Sequence, residues 1–537
     1  MPVIRLQKSE LAKLGVSEKE IVENVRMLGA DLKEVTDSEI NVEFFPDRPD
    51  LYTVEGVARA IKFYLGKGEW KEYNISKISE KVMVDESVRD VRPYIVAAVV
   101  RNVNVDEKFI KSMMDFQEKL HITVGRKRKK VAIGLHDYDK VRGPFKYTTM
   151  PPEFSFVPLG FEREMTLNEI LREHPKGVEY GHIIDGHNRY PVILDSAGNV
   201  LSFPPIINGV LTQITEDTRN IFIDMTGTDL NTLLRVLNIV VCSFADRGAE
   251  IEGVKIIYPH EEIVTPELEY ERIVISKSSA LKILGFEMND DEIEKSLYRL
   301  GYRAKVNGDA IEVIIPPYRM DILHSVDIVE DIAKGYGYDS IPKRSLSKYN
   351  RGSGFNWAEK PRLIMIGLGF LEVTTLTLSS FKNQYDAMRL KREEKIIVDN
   401  PVSEYTETLR TWIIPSLMEI LMKNKHHELP QRIFEVGYVR GNSMERHLAF
   451  LYEDAKASFT NAKSITERIL HDLGVAAYEI REKEHPSFIG GRCASIIIGG
   501  EEAGIFGEIH PEVLENFEIG YPVVGGEICL DKINKVI

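Results

Sequence analysis

Near the start of the chain, apolar and polar positions alternate with the period of a β-strand and then with that of a helix. Three apolar residues alternate with polar neighbours and predict a strand: Ile40, Val42 and Phe44. After two prolines, residues 51–65 resume the pattern as an amphipathic helix. Ser17 and Glu20 form a capping-box sequence at the start of an earlier helix. Residues 1–80 therefore predict a small α/β domain, and the polar stretch 66–86 reads as a linker.

Residues 88–260 predict one large α/β domain. The pattern gives strands over 94–100 and 131–135, a helix over 106–120, and a hairpin that turns at 196–199. NIFIDMTGTDL predicts a buried strand that ends in the polar residues Asp224, Thr226 and Thr228. Polar groups at the end of a buried strand are often where ligands bind.

A run of five basic residues lies between the predicted helix and the second strand of this domain: Arg126, Lys127, Arg128, Lys129 and Lys130. The chain as a whole carries a formal net charge of -14, which disfavours a protein that wraps nucleic acid unaided. The basic run is therefore the candidate for local phosphate contact, with a solvated loop as the alternative.

Residues 268–343 predict two helices, a hairpin with Asn307 and Gly308 at its turn, and a third helix capped by Ser325. On the third helix, Asp327, Glu330 and Asp331 are spaced i, i+3 and i+4, so their carboxylates share one face, and Asp321 lies just before it. Clustered carboxylates repel unless a positive charge neutralises them, and oxygen donors suit Mg²⁺. The alternative is a solvated acidic face.

Composition indicates how many domains the chain forms and in which compartment it works. With 537 residues and 43% hydrophobic content, the chain should form several domains, each with its own core. Its three cysteines are far apart, which fits a reduced, cytosolic compartment. No apolar run reaches transmembrane length, and the start MPVIRLQKSELAKLG has no signal-peptide core. We therefore expect a cytoplasmic protein without a membrane partner.

Blocks along nearly the whole chain resemble one family, the beta subunits of phenylalanyl-tRNA synthetase of the archaeal and eukaryotic type. They are FPDRPDL, KKVAIGLHD, FPPIING, PPYRMDI with VEDIAKGYGYD, NPVSEYTETLRT and FGEIHPEVL. The resemblance implies a multidomain fold of α/β and α+β type. Residues 88–260 would be a tRNA-editing domain, 268–343 a magnesium-binding, winged-helix-like module, and 350–537 a degenerate class II synthetase core on an antiparallel sheet.

The resemblance also implies residue roles. Asp321, Asp327, Glu330 and Asp331 would bind Mg²⁺. The editing domain would hydrolyse tyrosyl-tRNA, because a phenylalanine pocket gains little discrimination from one added hydroxyl unless something in it clashes. A second pocket would hold that hydroxyl with a buried polar group, so Asp224 and Thr226, with Ser202 as a third candidate, are the predicted substrate contacts. A water positioned by polar groups would attack the ester.

The last domain departs from an active class II core. Arg432 to Glu435, RIFE, is only a trace of the ATP-binding strand pair, and GLGF at Gly367 to Phe370 lacks the expected arginine. The resemblance therefore implies a non-adenylating beta subunit in an α2β2 tetramer, with ATP and phenylalanine bound by alpha and the tRNA for phenylalanine as a shared partner. Two alternatives stay open, a free-standing hydrolase of mischarged tRNA and a non-enzymatic RNA-binding scaffold.

Overall fold

The computed structural model describes residues 2–345, 358–392, 396–441 and 443–534. The chain divides into two compact units, Met1–Ser345 and Leu346–Ile537. Across the described ranges, no helix has both the length and the apolar character that crossing a membrane requires.

The first unit begins with a three-stranded antiparallel sheet in the order β1-β3-β2, with helices against it. Its elements are β1 (Val3–Gln7), α1 (Lys8–Lys13), α2 (Glu18–Asn24), β2 (Ala30–Val35), β3 (Glu39–Phe44) and α3 (Val54–Tyr64). The predicted strand is confirmed as β3, because its alternate residues Ile40, Val42 and Phe44 are buried. The capping box of Ser17 and Glu20 at the start of α2 is confirmed as well.

A ten-stranded sheet forms the centre of the first unit. Its path is β12-β11-β10-β7-β4-β14-β5-β13-β6, and β15 pairs with β14. The strands of this region are β4 (Ile78–Val84), β5 (Tyr94–Arg101), β6 (Val131–Asp137), β7 (Phe145–Met150), β8 (Ser155–Phe156), β9 (Met165–Thr166), β10 (Tyr190–Leu194), β11 (Val200–Phe203), β12 (Ile207–Asn208), β13 (Ile221–Gly227), β14 (Glu250–Ile257) and β15 (Glu262–Thr265). Its helices are α4 (Glu107–Ile122), α5 (Leu167–Glu173), α6 (Pro175–Tyr180) and α7 (Leu230–Asp246).

The linker prediction for residues 66–86 is wrong at its end. Residues 78–84 form β4, which lies inside the sheet and pairs in parallel with β14 and β7. Only Val82 and Val84 of this strand are buried, and the rest of its side chains are polar or exposed. Its four apolar residues, Ile78, Val82, Met83 and Val84, do not alternate with polar ones, so the sequence pattern did not indicate a strand.

Strand β13 runs between β5 and β6 and has all seven residues buried. Asp224 and Thr226 therefore lie within the strand, although the sequence placed them at its end. The predicted helix over 106–120 is confirmed as α4, which Asp106 caps through the backbone N–H of Phe109. The predicted hairpin is confirmed by the antiparallel pairing of β10 with β11.

The last part of the first unit contains β16 (Glu271–Ser276), α8 (Lys277–Leu284), α9 (Asp290–Arg299), β17 (Arg303–Asn307), β18 (Ala310–Ile315) and α10 (Ser325–Tyr336). The strands form an antiparallel sheet in the order β16-β18-β17, and the predicted hairpin is confirmed. The predicted cap of α10 is wrong by one residue. His324 is the N-cap, because its ring accepts the backbone N–H of Val326, and Ser325 begins the helix.

The second unit is built on a seven-stranded sheet in the order β19-β22-β23-β27-β26-β25-β24, which confirms the predicted antiparallel core. Only the short edge pair β19·β22 is parallel. The strands of this sheet are β19 (Leu371–Glu372), β22 (Gln431–Arg440), β23 (Met444–Glu453), β24 (Glu479–Glu482), β25 (Phe488–Ile498), β26 (Glu501–Ile509) and β27 (Val523–Cys529). Two further strands, β20 (Leu378–Ser379) and β21 (Thr408–Leu409), pair with each other. The helices are α11 (Glu359–Gly367), α12 (Ile414–Lys423), α13 (Phe459–Leu473), α14 (Pro511–Asn516) and α15 (Leu530–Asn534).

Alternate residues of β22 and β23 supply two separate apolar layers of the second unit. Phe434 and Phe450 pack in the layer that contains α13, whereas Ile433 and Leu451 pack in the layer that contains α12. This division follows from the two-residue period of a strand, which directs successive side chains to opposite faces. Helix α12 is thereby assigned to the core.

Candidate functional site

A cavity of about 440 Å³ opens in the first unit beside the edge strand β6. Helix α4, β6 and the segment around β12 form its walls. Apolar side chains supply most of the lining, including Phe109, Met113, Ile133, Leu135, Pro204 and Ile206. Polar and charged side chains also line the wall: Gln117, Glu118, His121, Arg128, Lys176, Ser202, Asn208, Thr212, Gln213 and Asp224. An apolar cavity with a few convergent polar groups is typical of a small-molecule site.

Asp224 is the buried carboxylate of this cavity, with 1% of its surface exposed. Its Oδ2 lies 2.6 Å from Nε2 of His136, and Nδ1 of that ring lies 2.7 Å from the hydroxyl oxygen of Thr212. A carboxylate accepts hydrogen bonds, so Nε2–H of His136 donates to Asp224. The Thr212 hydroxyl lies between Nδ1 of the ring and the carbonyl oxygen of Gly209, which is 3.3 Å from it. The ring therefore fixes one oxygen of Asp224, and the structure records no hydrogen bond from a described residue to the other, Oδ1.

Gly134 provides the space for this pair. It lies opposite Asp224 in the β6·β13 register, and a Cβ atom at position 134 would lie 2.1 Å from Oδ2 of Asp224. The same Cβ would lie 2.8 Å from Nε2 of His136. A side chain at position 134 is thus incompatible with the observed carboxylate position.

The structure separates the three predicted substrate contacts. Asp224 and Ser202 both line the cavity, but Thr226 is not part of its lining. The hydroxyl of Thr226 instead accepts a hydrogen bond of 2.8 Å from Nε of the buried Arg92. His136 and Thr212 join the site without having been predicted. Gly134 is the residue of β6 that pairs with Asp224, and His136 lies two residues further along the same strand. Knowing this pairing would have indicated His136, but no sequence signal indicated Thr212.

The basic run forms a turn beside the cavity. Arg126, Lys127 and Arg128 have φ values of 48°, 53° and 68°, a left-handed conformation that is unfavourable for residues with a Cβ. Arg92 holds this turn, because its guanidinium donates to the carbonyl oxygens of Arg128 and Lys129 at 3.0 and 3.1 Å. Burial lowers the pKa of Arg92 to about 10. The turn is therefore tied to β13 through a single buried side chain.

Two of the five basic side chains have protein partners. Arg128 lines the cavity, donates to the carbonyl oxygens of Pro205 and Ile206 at 3.1 and 2.9 Å, and stacks on Tyr180. Lys130 pairs with Asp229 at 3.2 Å. The remaining three are exposed, and no ion pair to a described residue is recorded for them: Arg126, Lys127 and Lys129.

Two of the four predicted metal ligands share a buried arginine. Arg319 donates to both oxygens of Asp321 at 2.8 and 2.7 Å and to Asp331 at 2.6 Å. The hydroxyl of Tyr302 donates to the same oxygen of Asp331 at 2.5 Å. Burial by itself would raise the pKa of Asp321, but the charges of Arg319 and Arg48 outweigh it and lower that pKa to about 2. The positive charge that these two carboxylates require is thus supplied by arginine.

The other two predicted ligands point elsewhere. Oδ2 of Asp327 accepts the backbone N–H groups of Leu323 and His324, both at 2.7 Å, and so caps α10. Glu330 is exposed and pairs with Lys334 at 2.8 Å. The four carboxylates do not converge on one point, and as arranged they do not fit the predicted Mg²⁺ site. Binding of Mg²⁺ itself stays a prediction.

Family models match three consecutive parts of the chain. They are the B3/4 domain over residues 86–236, the tRNA synthetase B5 domain over 273–338, and the phenylalanyl tRNA synthetase beta chain CLM domain over 339–530. The phenylalanine–tRNA ligase beta subunit of Archaeoglobus fulgidus is 44% identical over 99% of this chain and 98% of its own length. The chain belongs to the family of phenylalanine–tRNA ligase beta subunits. The predicted family membership is confirmed.

Other members of the phenylalanine–tRNA ligase beta-subunit family are also similar to this chain. The beta subunit of Pyrococcus abyssi is 41% identical and covers 99% of both chains. The crystal structure of an N-terminal fragment of the phenylalanyl-tRNA synthetase beta subunit from Pyrococcus horikoshii is 39% identical, with a TM-score of 0.61. It covers 63% of this chain and 100% of the fragment. The mixed α/β, multidomain fold is therefore shared with this solved relative.

In this beta-subunit family member, the segments that the sequence predicted to be traces of ATP-binding motifs occupy structural positions. Glu435 is buried, and its carboxylate accepts from Arg410 at 2.7 Å and from Thr375 at 2.6 Å. Arg432 lies at the surface over the ring of Tyr452. The GLGF segment ends α11 and forms the turn before β19. Both carboxylate oxygens of Glu435 are thus already used within the protein.

Proposed function

We propose that this chain is the cytoplasmic beta subunit of a phenylalanine–tRNA ligase and works in an α2β2 tetramer. The alpha subunit binds ATP and phenylalanine and joins the amino acid to its tRNA. The beta subunit supports alpha, contacts the tRNA and hydrolyses tyrosyl-tRNA that was charged in error. The observation that carries the hydrolytic role is the carboxylate of Asp224, buried at the wall of an apolar cavity and held by His136.

The cavity has the properties that selection of tyrosine over phenylalanine requires. Its apolar walls accept an aromatic ring, and Oδ1 of Asp224 is available to accept the phenol hydroxyl. Phenylalanine has no hydroxyl, so on binding it would leave the carboxylate desolvated and without a partner. A site built to hydrogen-bond a substrate hydroxyl rejects the analogue that lacks it by about 10⁴–10⁵-fold. Correctly charged phenylalanyl-tRNA would therefore escape hydrolysis.

Hydrolysis requires a water molecule to attack the ester carbonyl carbon. The bond to the terminal ribose oxygen breaks, and that oxygen takes up a proton as the free tyrosine leaves. Ser202, in the same cavity wall, is the proposed second contact with the substrate. His136 and Thr212 are positioning residues, because they act on the substrate through Asp224.

The three exposed cations beside the cavity are the proposed contacts with tRNA phosphate. Replacing Arg126, Lys127 and Lys129 together with glutamine should weaken tRNA binding and reduce the slope of log affinity against log salt. Each phosphate contact that is lost changes the slope by about 0.7–0.9. The measurement is tRNA affinity at several salt concentrations for the complex with alpha.

The matched control for this charge test replaces three exposed cations elsewhere in the first unit, Lys19, Lys81 and Arg89. The control should keep the wild-type slope. Equal slopes for the wild type and for the variant at the basic turn would show that the turn is only a solvated loop.

The second unit is proposed to support alpha without activating an amino acid. Its α11 and β19 expose three large apolar residues, Leu363, Ile366 and Leu371, whose surfaces are 68%, 54% and 68% accessible in the described residues. Leu363 and Ile366 are three residues apart on α11 and therefore neighbours on its surface, and a contiguous apolar patch is typical of a protein interface. The internal pairing of Glu435 with Arg410 leaves that carboxylate unavailable to ATP.

One purification experiment tests the division of labour. The full-length chain is prepared alone and together with alpha, and each sample is assayed for phenylalanine-dependent pyrophosphate exchange and for tyrosyl-tRNA deacylation. We expect exchange only in the presence of alpha, and deacylation by the complex. Phenylalanyl-adenylate formed by the chain alone would overturn the proposal. Deacylation without any association with alpha would indicate a free-standing hydrolase, and no deacylation by the complex would indicate a scaffold.

A further inference from the structure

Four polar side chains lie on one face of the central strands of the second unit. Glu445 and His447 are two residues apart on β23, and Glu527 and Cys529 are two residues apart on β27. His447 is directly opposite Cys529 in the antiparallel register. Because side chains two apart on a strand, and those of directly opposed residues, share a face, the fold itself places all four together.

Three of these side chains bring potential metal donors close to one another. Nε2 of His447 lies 3.6 Å from Oε2 of Glu445, and Sγ of Cys529 lies 3.9 Å from the same oxygen. All three donor atoms lie within 4.8 Å of one another, and no second group of this kind was found in the part of the chain that the structure describes. Tetrahedral Zn²⁺ with bonds of about 2.0–2.3 Å places its ligand atoms roughly 3.3–3.8 Å apart.

Glu527 orients the imidazole of His447. Its Oε1 lies 2.7 Å from Nδ1 of His447, and its Oε2 accepts the backbone N–H groups of Ile413 and Ile414 at 2.8 and 3.1 Å. The carboxylate therefore accepts Nδ1–H and directs Nε2 towards Glu445 and Cys529. A carboxylate behind a histidine ligand is the usual second partner in protein zinc sites.

Nε2 of His447 is the unexplained atom of the cluster. It is buried and has no hydrogen-bond partner in the described residues. Its distance of 3.6 Å to Glu445 is too long for a hydrogen bond. A buried nitrogen without a partner normally costs stability, so something other than the recorded protein contacts should satisfy it.

We propose that Glu445, His447 and Cys529 bind one divalent transition-metal ion of the zinc class, with Glu527 as the carboxylate partner of His447. The ion joins β23 to β27 and is distinct from the acids of the first unit. A thiolate and an imidazole together select zinc-class ions over Mg²⁺, which prefers oxygen donors. The fourth coordination position is left for water.

Metal binding requires the thiol of Cys529 to be deprotonated and Nε2 of His447 to carry no proton. Affinity for the ion should therefore fall as the pH is lowered.

The test uses the full-length chain in complex with alpha, dialysed against a chelator and then titrated with Zn²⁺ or Co²⁺. We expect one ion per beta chain, and with Co²⁺ a near-ultraviolet thiolate charge-transfer band together with the visible bands of a tetrahedral site. Cys529→Ser should abolish the charge-transfer band. Glu527→Gln should lower metal affinity about 10–100-fold, as is usual for the loss of a carboxylate behind a histidine ligand.

Cys493→Ser is the matched control, because Cys493 is also a buried free cysteine of the second unit but lies on β25 outside the cluster. It should retain the ion and the band. Glu445→Gln changes a partly exposed side chain, so it tests the site even where Cys529→Ser fails to fold. The absence of stoichiometric binding, or a Co²⁺ spectrum that is the same in Glu445→Gln and the wild type, would overturn the proposal.

Discussion

Replacing Asp224 with alanine is expected to lower kcat/KM for tyrosyl-tRNA deacylation about 10–100-fold, which corresponds to the loss of one charge-assisted hydrogen bond of about 1.5–3 kcal/mol. The reason is that the phenol hydroxyl of the substrate would lose its buried acceptor, while the apolar walls of the cavity stay in place. The measurement is single-turnover deacylation of tyrosyl-tRNA by the complex with alpha. Aminoacylation with phenylalanine should keep its wild-type rate, since the proposal assigns that reaction to alpha.

Two further variants make the Asp224 test specific. Asp224→Asn keeps an oxygen that His136 can donate to, so it should preserve the fold while removing the charge. Asp139→Asn changes an exposed carboxylate of the same domain that is hydrogen-bonded to Asn220, and deacylation should be unaffected. If Asp224→Ala folds and deacylates tyrosyl-tRNA at the wild-type rate, the carboxylate does not recognise the substrate.

Replacing Arg319 with methionine is expected to destabilise the first unit by about 3–5 kcal/mol, because removing one partner of a buried ion pair leaves an uncompensated buried charge. Here two carboxylates lose their counter-charge, since Asp321 and Asp331 share the same guanidinium. The measurement is unfolding of the full chain followed by circular dichroism, with the transition of the first unit as the readout. Arg303→Met is the control, because Arg303 is exposed, its ion pair with Glu72 is long at 3.9 Å, and its other contact is with the ring of Trp70 at the surface. Its cost should stay below about 1 kcal/mol.

The same melting experiment tests the predicted magnesium ion. A Mg²⁺ ion on these acids would make the wild type melt at a lower temperature in chelator than in Mg²⁺, and Glu330→Gln would reduce that difference. Asp327→Ala is less informative, because it also removes the acceptor of two backbone N–H groups at the start of α10. Loss of a helix cap by itself costs about 0.5–2 kcal/mol. If the wild type melts at the same temperature with and without chelator, the magnesium prediction is contradicted. If Arg319→Met melts at the wild-type temperature, the proposed role of Arg319 is contradicted.

The sequence predicted elements well where one face is buried and the pattern is long enough to show it. Strand β3 and helix α4 follow from their periodicity, and the capping box of Ser17 fixes the start of α2. Strand β4 was missed because its apolar residues do not alternate regularly, with Val82, Met83 and Val84 adjacent and Ile78 apart from them. Its place in the sheet comes from pairing with β14, more than 160 residues later in the sequence, which local periodicity does not contain.

The candidate sites were predicted in part for a related reason. Helical spacing placed Asp327, Glu330 and Asp331 on one helix, but it did not show that Asp331 faces the interior while Glu330 faces solvent. The contact between Asp224 and His136 depends on which strand lies beside β13, and that is a property of the sheet. Thr212 joins them from a connecting segment, where neither period applies.

The left-handed turn of the basic run links its exposed cations to the wall of the cavity. Arg128 belongs to the same few residues as these cations, yet its guanidinium donates to the backbone carbonyl oxygens of Pro205 and Ile206, which line the cavity. A phosphate contact by the outer side chains would therefore engage a segment that is already hydrogen-bonded to that wall.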